Sequence, residues 1–124
     1  MKAEIIGRAI GAASLAFGIT DIVMGRTFGR GIGAGEEMGG RLFQIVGARE
    51  VVTGVAGLIA PGSLTPLHWR MAGDAFDLAA LASIAAPANP KRKMAWLALG
   101  IVAGVAVADY LGARAIKTAK GARS

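Results

Sequence analysis

The chain has 124 residues, of which 54% are hydrophobic and 19 are glycine, with a formal net charge of +6 and a mean hydropathy of +0.54. A domain this small has too little interior to hide so much apolar surface from water, which argues against a soluble four-helix bundle. The lack of cysteine excludes disulfides and thiolate metal or redox sites, and a single histidine, His68, excludes a multi-histidine metal or haem site within one chain.

The pattern predicts an all-α, integral membrane four-helix bundle: a single transmembrane domain with spans at about 5–24, 42–60, 69–86 and 94–111, each long enough for a bilayer core. The opening Lys2 and the apolar run 9–20 have the outline of an export signal. Arg8 and Asp21 bracket that run, however, and no small-x-small cleavage site follows it, so it reads as the first span. Small residues recur along it at threes and fours (Gly7, Gly11, Ser14, Gly18, Asp21, Gly25), a seam that lets another helix approach closely. The stretch 25–41 holds seven glycines with Arg26 and Arg30, and reads as a flexible or interfacial connector. It contains neither a dinucleotide-binding nor a P-loop fingerprint.

The second span repeats the seam with Gly40, Gly47, Glu50, Gly54, Gly57 and Pro61, and places Arg49 and Glu50 inside apolar sequence. A turn at Pro61, Gly62, Ser63 and Pro66 leads to the third span, where Arg70, Gly73, Asp74 and Asp77 share one helical face. Arg70 is expected to pair with Asp74 one turn on, and Arg49 with Asp77 from the neighbouring span. Pro87 and Pro90 punctuate the next turn, followed by Lys91, Arg92 and Lys93, which suit anionic lipid headgroups. The fourth span offers Gly100, Gly104, Ala108 and Gly112 as a further seam, and carries Asp109. Phe43, Trp69, Trp96 and Tyr110 fall near span ends, as an interfacial aromatic belt requires.

Charge inside an apolar span costs a few kcal/mol per residue, so it is paired or functional. Five acids (Asp21, Glu50, Asp74, Asp77, Asp109) face three bases (Arg8, Arg49, Arg70), so two carboxyls are left to hold a proton, bind a cation or reach the interface. Asp21 and Asp109, near span ends, are the candidates for the interface. Glu50 and Asp77 are then the leading candidates for proton or cation handling, with Asp74, Arg49 and Arg70 around them. The flanking Lys and Arg residues nearly balance between the two sides, so the positive-inside rule assigns no orientation. The basic excess lacks any nucleic-acid recognition motif. His68, beside Trp69, belongs to no Ser–His–Asp arrangement and suits a headgroup contact, so no catalytic residue emerges.

The sequences GAREVVTG (47–54) and RMAGDAFDL (70–78) resemble those of small bacterial four-helix membrane proteins of the DoxX-like kind, some described as membrane segments joined to cyclase/dehydrase-type domains. The resemblance implies the fold and makes Arg49, Glu50, Arg70, Asp74 and Asp77 the family's polar positions. This chain carries no appended soluble domain, so no cyclase chemistry is implied. Three functions are compatible with these residues. One is a proton- or cation-linked transporter or channel subunit, possible as a homo-oligomer. The second is a structural or accessory membrane protein whose charges fix helix packing. The third is a DoxX-like membrane enzyme or redox module, which would need a quinone, flavin or lipid that nothing in the sequence demands. The surplus of acids favours the first. The cofactor is unknown, and a composition rich in Ala, Gly and Arg points to a GC-rich bacterium and its inner membrane.

Overall fold

The computed structural model describes residues 2–123, with side chains through Gly121. Four helices follow one another: α1 (Ala3–Gly31), α2 (Glu36–Ile59), α3 (Thr65–Ile84) and α4 (Arg92–Arg123). Connections of a few residues make each helix antiparallel to the next. Every helix touches its two neighbours around a square, with α1 and α2 the most intimate pair.

Three helices (α1, α2 and α4) are long and apolar enough to cross a membrane. The 20 residues of α3 include Arg70, Asp74 and Asp77, which remove it from that class although its length, about 30 Å at 1.5 Å per residue, suffices. The distribution of polarity reverses that of a soluble bundle. Large apolar side chains point outward, Val23 at 76% exposure, Met38 at 79% and Ile59 at 77% among them, while Glu50, Arg70, Asp74, Asp77 and Asp109 are buried. An outer surface of this kind matches hydrocarbon and not water.

Helices α1 and α4 extend beyond both ends of the spans expected from sequence, whereas α2 and α3 start six and four residues early and stop one and two residues short. The largest correction is the glycine-rich stretch 25–41, which is mostly helix: α1 runs through Gly31 and α2 starts at Glu36. Glycine weakens an isolated helix by about 1 kcal/mol, but here the missing side chains let the helices touch. A Cβ on Gly25 would lie 2.9 Å from the Gly40 carbonyl oxygen, and one on Gly29 would lie 2.5 Å from the carbonyl carbon of Gly39. Glycine acts as a breaker only in the short turn between the helices, where Gly33 (φ +81°) and Gly35 (φ +87°) adopt backbone that other residues resist. Glu36 and Glu37 then open α2 on the favourable side of its dipole. Pro61 and Pro87 follow the ends of α2 and α3, and Pro66 sits in the first turn of α3, where its missing N–H costs nothing. The expected turns after the second and third spans are therefore present.

The α1 and α2 seams are the contact itself. A Cβ on Gly18 would fall 2.6 Å from the Gly47 oxygen and one on Gly47 2.6 Å from the Gly18 oxygen, while Gly11 and Gly54 oppose each other in the same way one level along. The α4 seam expected from sequence is not a packing seam. Nothing lies within 4 Å of a Cβ on Gly100 or Gly104, and only Gly112 meets α1, at Ile10.

Two apolar clusters close the bundle. Ala3, Leu67, Ala113 and Ile116 fill one end, and Ile32, Leu81, Ala85 and Ala95 fill the other. The second end is locked by Asn89, whose side-chain amide donates to the carbonyls of Ile32 (2.9 Å) and Ile84 (2.8 Å) and so ties the C-terminal ends of α1 and α3 together. Lys91 donates to the Arg30 carbonyl (3.0 Å) and Arg92 to that of Pro87 (3.3 Å), so part of the basic triplet caps helix ends. Between the two apolar clusters lies a polar layer.

Candidate functional site

Arg70 is the hub of the polar layer. From α3 it donates through Nη1 to Glu50 Oε2 of α2 (2.6 Å) and through Nε to Asp109 Oδ1 of α4 (3.1 Å). Its Nη1 also donates to Ser14 Oγ of α1. One guanidinium therefore contacts all three other helices, and at 5% exposure it is sealed from the surroundings. Ser14 sits on the α1 glycine seam, where α2 is close enough to bring its oxygen within 2.7 Å of both the Glu50 main-chain carbonyl and Glu50 Oε2. Thr53, one turn from Glu50, bonds back to the Arg49 carbonyl (3.0 Å) and approaches Ser14 Oγ at 3.3 Å. The small-residue seam thus serves two ends: it brings α1 and α2 together and delivers a hydroxyl to the buried charges.

A second pair lies one turn away. Arg49 Nη2 donates to Asp77 Oδ2 at 2.6 Å, the pairing expected from sequence. Gly73 makes it possible, because a Cβ there would lie 2.5 Å from Arg49 Nε. The expected bond between Arg70 and Asp74 does not form. Arg70 turns to Glu50 and Asp109 instead, and Asp74 is left within hydrogen-bonding reach of Asp109, another acid. The placement of Asp109 at an interface is likewise overturned: it is 3% exposed and braces Arg70. Asp21, also expected towards an interface, is partly buried and lines an internal cavity. Arg8 is exposed on α1 and stands outside the layer.

These placements change the charge count. Among the described residues the layer and its margin hold five acids, Asp21, Glu50, Asp74, Asp77 and Asp109, against the guanidinium groups of Arg49 and Arg70. Arg70 and Arg49 together engage Glu50, Asp109 and one oxygen of Asp77. Three carboxylate oxygens are buried with no hydrogen-bond partner: Asp74 Oδ2, Asp77 Oδ1 and Asp109 Oδ2. No group of three or more His, Cys, Asp or Glu side chains among the described residues is arranged to hold a metal ion.

The acids stand at one end of a cavity of about 540 Å³. Asp21, Glu50, Arg70, Asp74 and Asp77 form its polar end. Apart from Thr20 and Thr27, its remaining wall is apolar and drawn from all four helices, from Phe28 and Phe43 on α1 and α2 to Leu81, Leu97 and Val102 on α3 and α4. The wall from Met94 to Val105 on α4 gives the cavity a length of about 16 Å at 1.5 Å per residue. Compared with protein-family models, with curated proteins and with solved structures, the chain matches none.

Sequence reasoning found every charged member of the layer but not its hydrogen-bonding companions. Ser14 reads as a packing residue, since a hydroxyl on a small-residue seam carries no signal of its own, and Thr53 is not singled out. Their part emerges only when α1 crosses α2 at the level of Arg70.

Proposed function

We propose that the protein is an integral membrane protein of the bacterial inner membrane that handles protons or cations, as a small transporter or a channel subunit. The observation that carries the proposal is the set of buried carboxylate oxygens without partners, two of which, on Asp74 and Asp77, belong to residues lining the cavity. An unpaired anion in a bundle surrounded by hydrocarbon is unstable unless a proton or another cation visits it. Asp74 and Asp109, within reach of each other, can share one proton, because a protonated carboxyl is a donor and an ionised one only an acceptor. In this reading α3 also crosses the membrane, with its charged face turned into the bundle. The exposed bases at the turn end, Lys91, Arg92 and Lys93 among them, suit anionic headgroups.

The test is proton movement in liposomes containing purified protein and a pH-sensitive dye, with an imposed pH gradient. Wild type should collapse the gradient faster than empty liposomes, and the Asp74→Asn/Asp77→Asn variant, folded by circular dichroism, should not. Equal rates for wild type and empty liposomes, or for wild type and variant, would overturn the proposal.

A second reading, a structural membrane protein, is favoured by the Arg70 brace. That brace assigns Arg70, Glu50, Asp109 and Ser14 to holding the helices together. The two readings divide the cluster between them: the brace accounts for Glu50 and Asp109 and Arg49 holds one oxygen of Asp77, while Asp74, Asp21 and the second oxygen of Asp77 remain as the surplus.

A further inference from the structure

The cavity beside the polar layer has a shape and a chemistry that narrow its occupant. Its volume, about 540 Å³, lies within the range of small-molecule sites. Its polar end is acidic: Asp21, Glu50, Asp74 and Asp77 line it with one guanidinium, that of Arg70, which already faces Glu50 and Asp109. Asp74 and Asp77 are only 3% and 7% exposed, and each keeps one oxygen that no protein group satisfies. Both oxygens are closed to water, so a ligand head meets them only when the carboxylates turn, and Arg49 already engages the other Asp77 oxygen at 2.6 Å.

The unmet bonding capacity at this end therefore consists of acceptors. A ligand whose head only accepts, such as a quinone or an ester carbonyl, gains nothing there, and an anion is repelled. A head that donates N–H bonds and carries positive charge satisfies both demands, because hydrogen bonds from a cation to a carboxylate are the strong class.

The mouth selects for the rest of the ligand. Phe17 on α1 and Leu97 and Ile101 on α4 line the cavity while remaining 54%, 56% and 57% exposed, so they form its rim on the outer surface between those helices. That surface is the apolar one. A hydrated inorganic ion would have to shed its water at a hydrocarbon rim, whereas an apolar body enters it readily.

We propose that the cavity binds a lipophilic amine, which enters between α1 and α4 and seats its ammonium head on Asp74 and Asp77 with its apolar body along the Phe28, Phe43, Leu97 and Val102 wall. The proposal rests on the cation-handling reading and names the substrate class for the same site.

The test uses 1-adamantylamine, a compact lipophilic amine, and 1-adamantanol, its neutral counterpart of the same shape. Binding is measured by equilibrium dialysis against the full chain in nanodiscs. The variants are Asp74→Asn/Asp77→Asn, which removes the anionic end, and Ala98→Phe, which fills the cavity and keeps every carboxyl. The Val102→Phe variant replaces Ala98→Phe if that protein does not fold.

Wild type should bind the amine saturably and the alcohol at least about tenfold more weakly, the difference expected when one charge-assisted hydrogen bond is lost. Both kinds of variant should lose amine binding. Equal binding of amine and alcohol, undiminished amine binding in the filled or neutralised variant, or no saturable binding by wild type would each overturn the proposal. Amine binding together with a failed proton-movement test would keep this site and retire transport. Proton movement without amine binding would do the reverse.

Discussion

Replacing Glu50 by Gln separates the brace from the surplus acids. Glu50 is 8% exposed, and its Oε2 lies 2.6 Å from Arg70 Nη1. Removing one partner of a buried ion pair costs about 3–5 kcal/mol when the other charge is left alone. Arg70 is not left alone, because Asp109 still accepts from Nε at 3.1 Å and Ser14 from Nη1. About half of the full penalty, roughly 2 kcal/mol, is therefore expected for Glu50→Gln, and the whole of it for Glu50→Gln combined with Asp109→Asn. Asp74→Asn should behave differently. It removes a buried acid with an unpartnered oxygen that has another acid within hydrogen-bonding reach, so stability should be unchanged or higher. The assay is reversible unfolding in mixed micelles, followed by circular dichroism at one pH and one detergent ratio. The reasoning is refuted if Glu50→Gln and Asp74→Asn move stability in the same direction by the same amount. It is also refuted if the double variant is no worse than Glu50→Gln alone.

The glycines give a contrast within one molecule. Gly18→Ala or Gly47→Ala should destabilise by about 1–3 kcal/mol or prevent folding, because the added methyl meets opposing backbone at 2.6 Å. Gly100→Ala and Gly104→Ala, with nothing within 4 Å, should leave the same unfolding curve unchanged or shift it upward. At the turn end, Asn89→Ala removes the donor to two main-chain carbonyls and should cost about 1–3 kcal/mol. Hydrogen exchange should locate the loss: amides of residues 29–35 and 84–92 should exchange faster, while those around Ser14 and Arg70 stay protected.

Much of the molecule was legible in the amino-acid order, for reasons that are local. Four helical segments follow from apolar runs punctuated at Pro61, Pro66, Pro87 and Pro90, and burial in the α1–α2 interface follows from small residues at threes and fours. The cost of charge in hydrocarbon singled out Arg49, Glu50, Arg70, Asp74, Asp77 and Asp109, which lie in one layer, together with Asp21, at its margin, and Arg8, which is exposed outside it. The ends of the helices were less legible. A glycine breaks a helix or cements a helix contact according to what stands opposite, and for Gly25 and Gly29 that partner lies across a turn, in Gly40 and Gly39. For the same reason a regular glycine seam on α4 could not be told from a packing face.

Partner choice within the layer was decided by tertiary structure alone. Helical spacing brings Arg70 and Asp74 within one turn of each other, but the guanidinium is captured by Glu50 and Asp109, which other helices present in better geometry. The sequence by itself determined that charge would be buried and that acids would outnumber bases, since insertion cost depends on composition and spacing; the size of the surplus was not determined, because Arg8 lies exposed outside the layer. Only the packing of four helices decided which carboxylates are neutralised and which line a cavity, because an ion pair is set by distances between elements that no local pattern encodes.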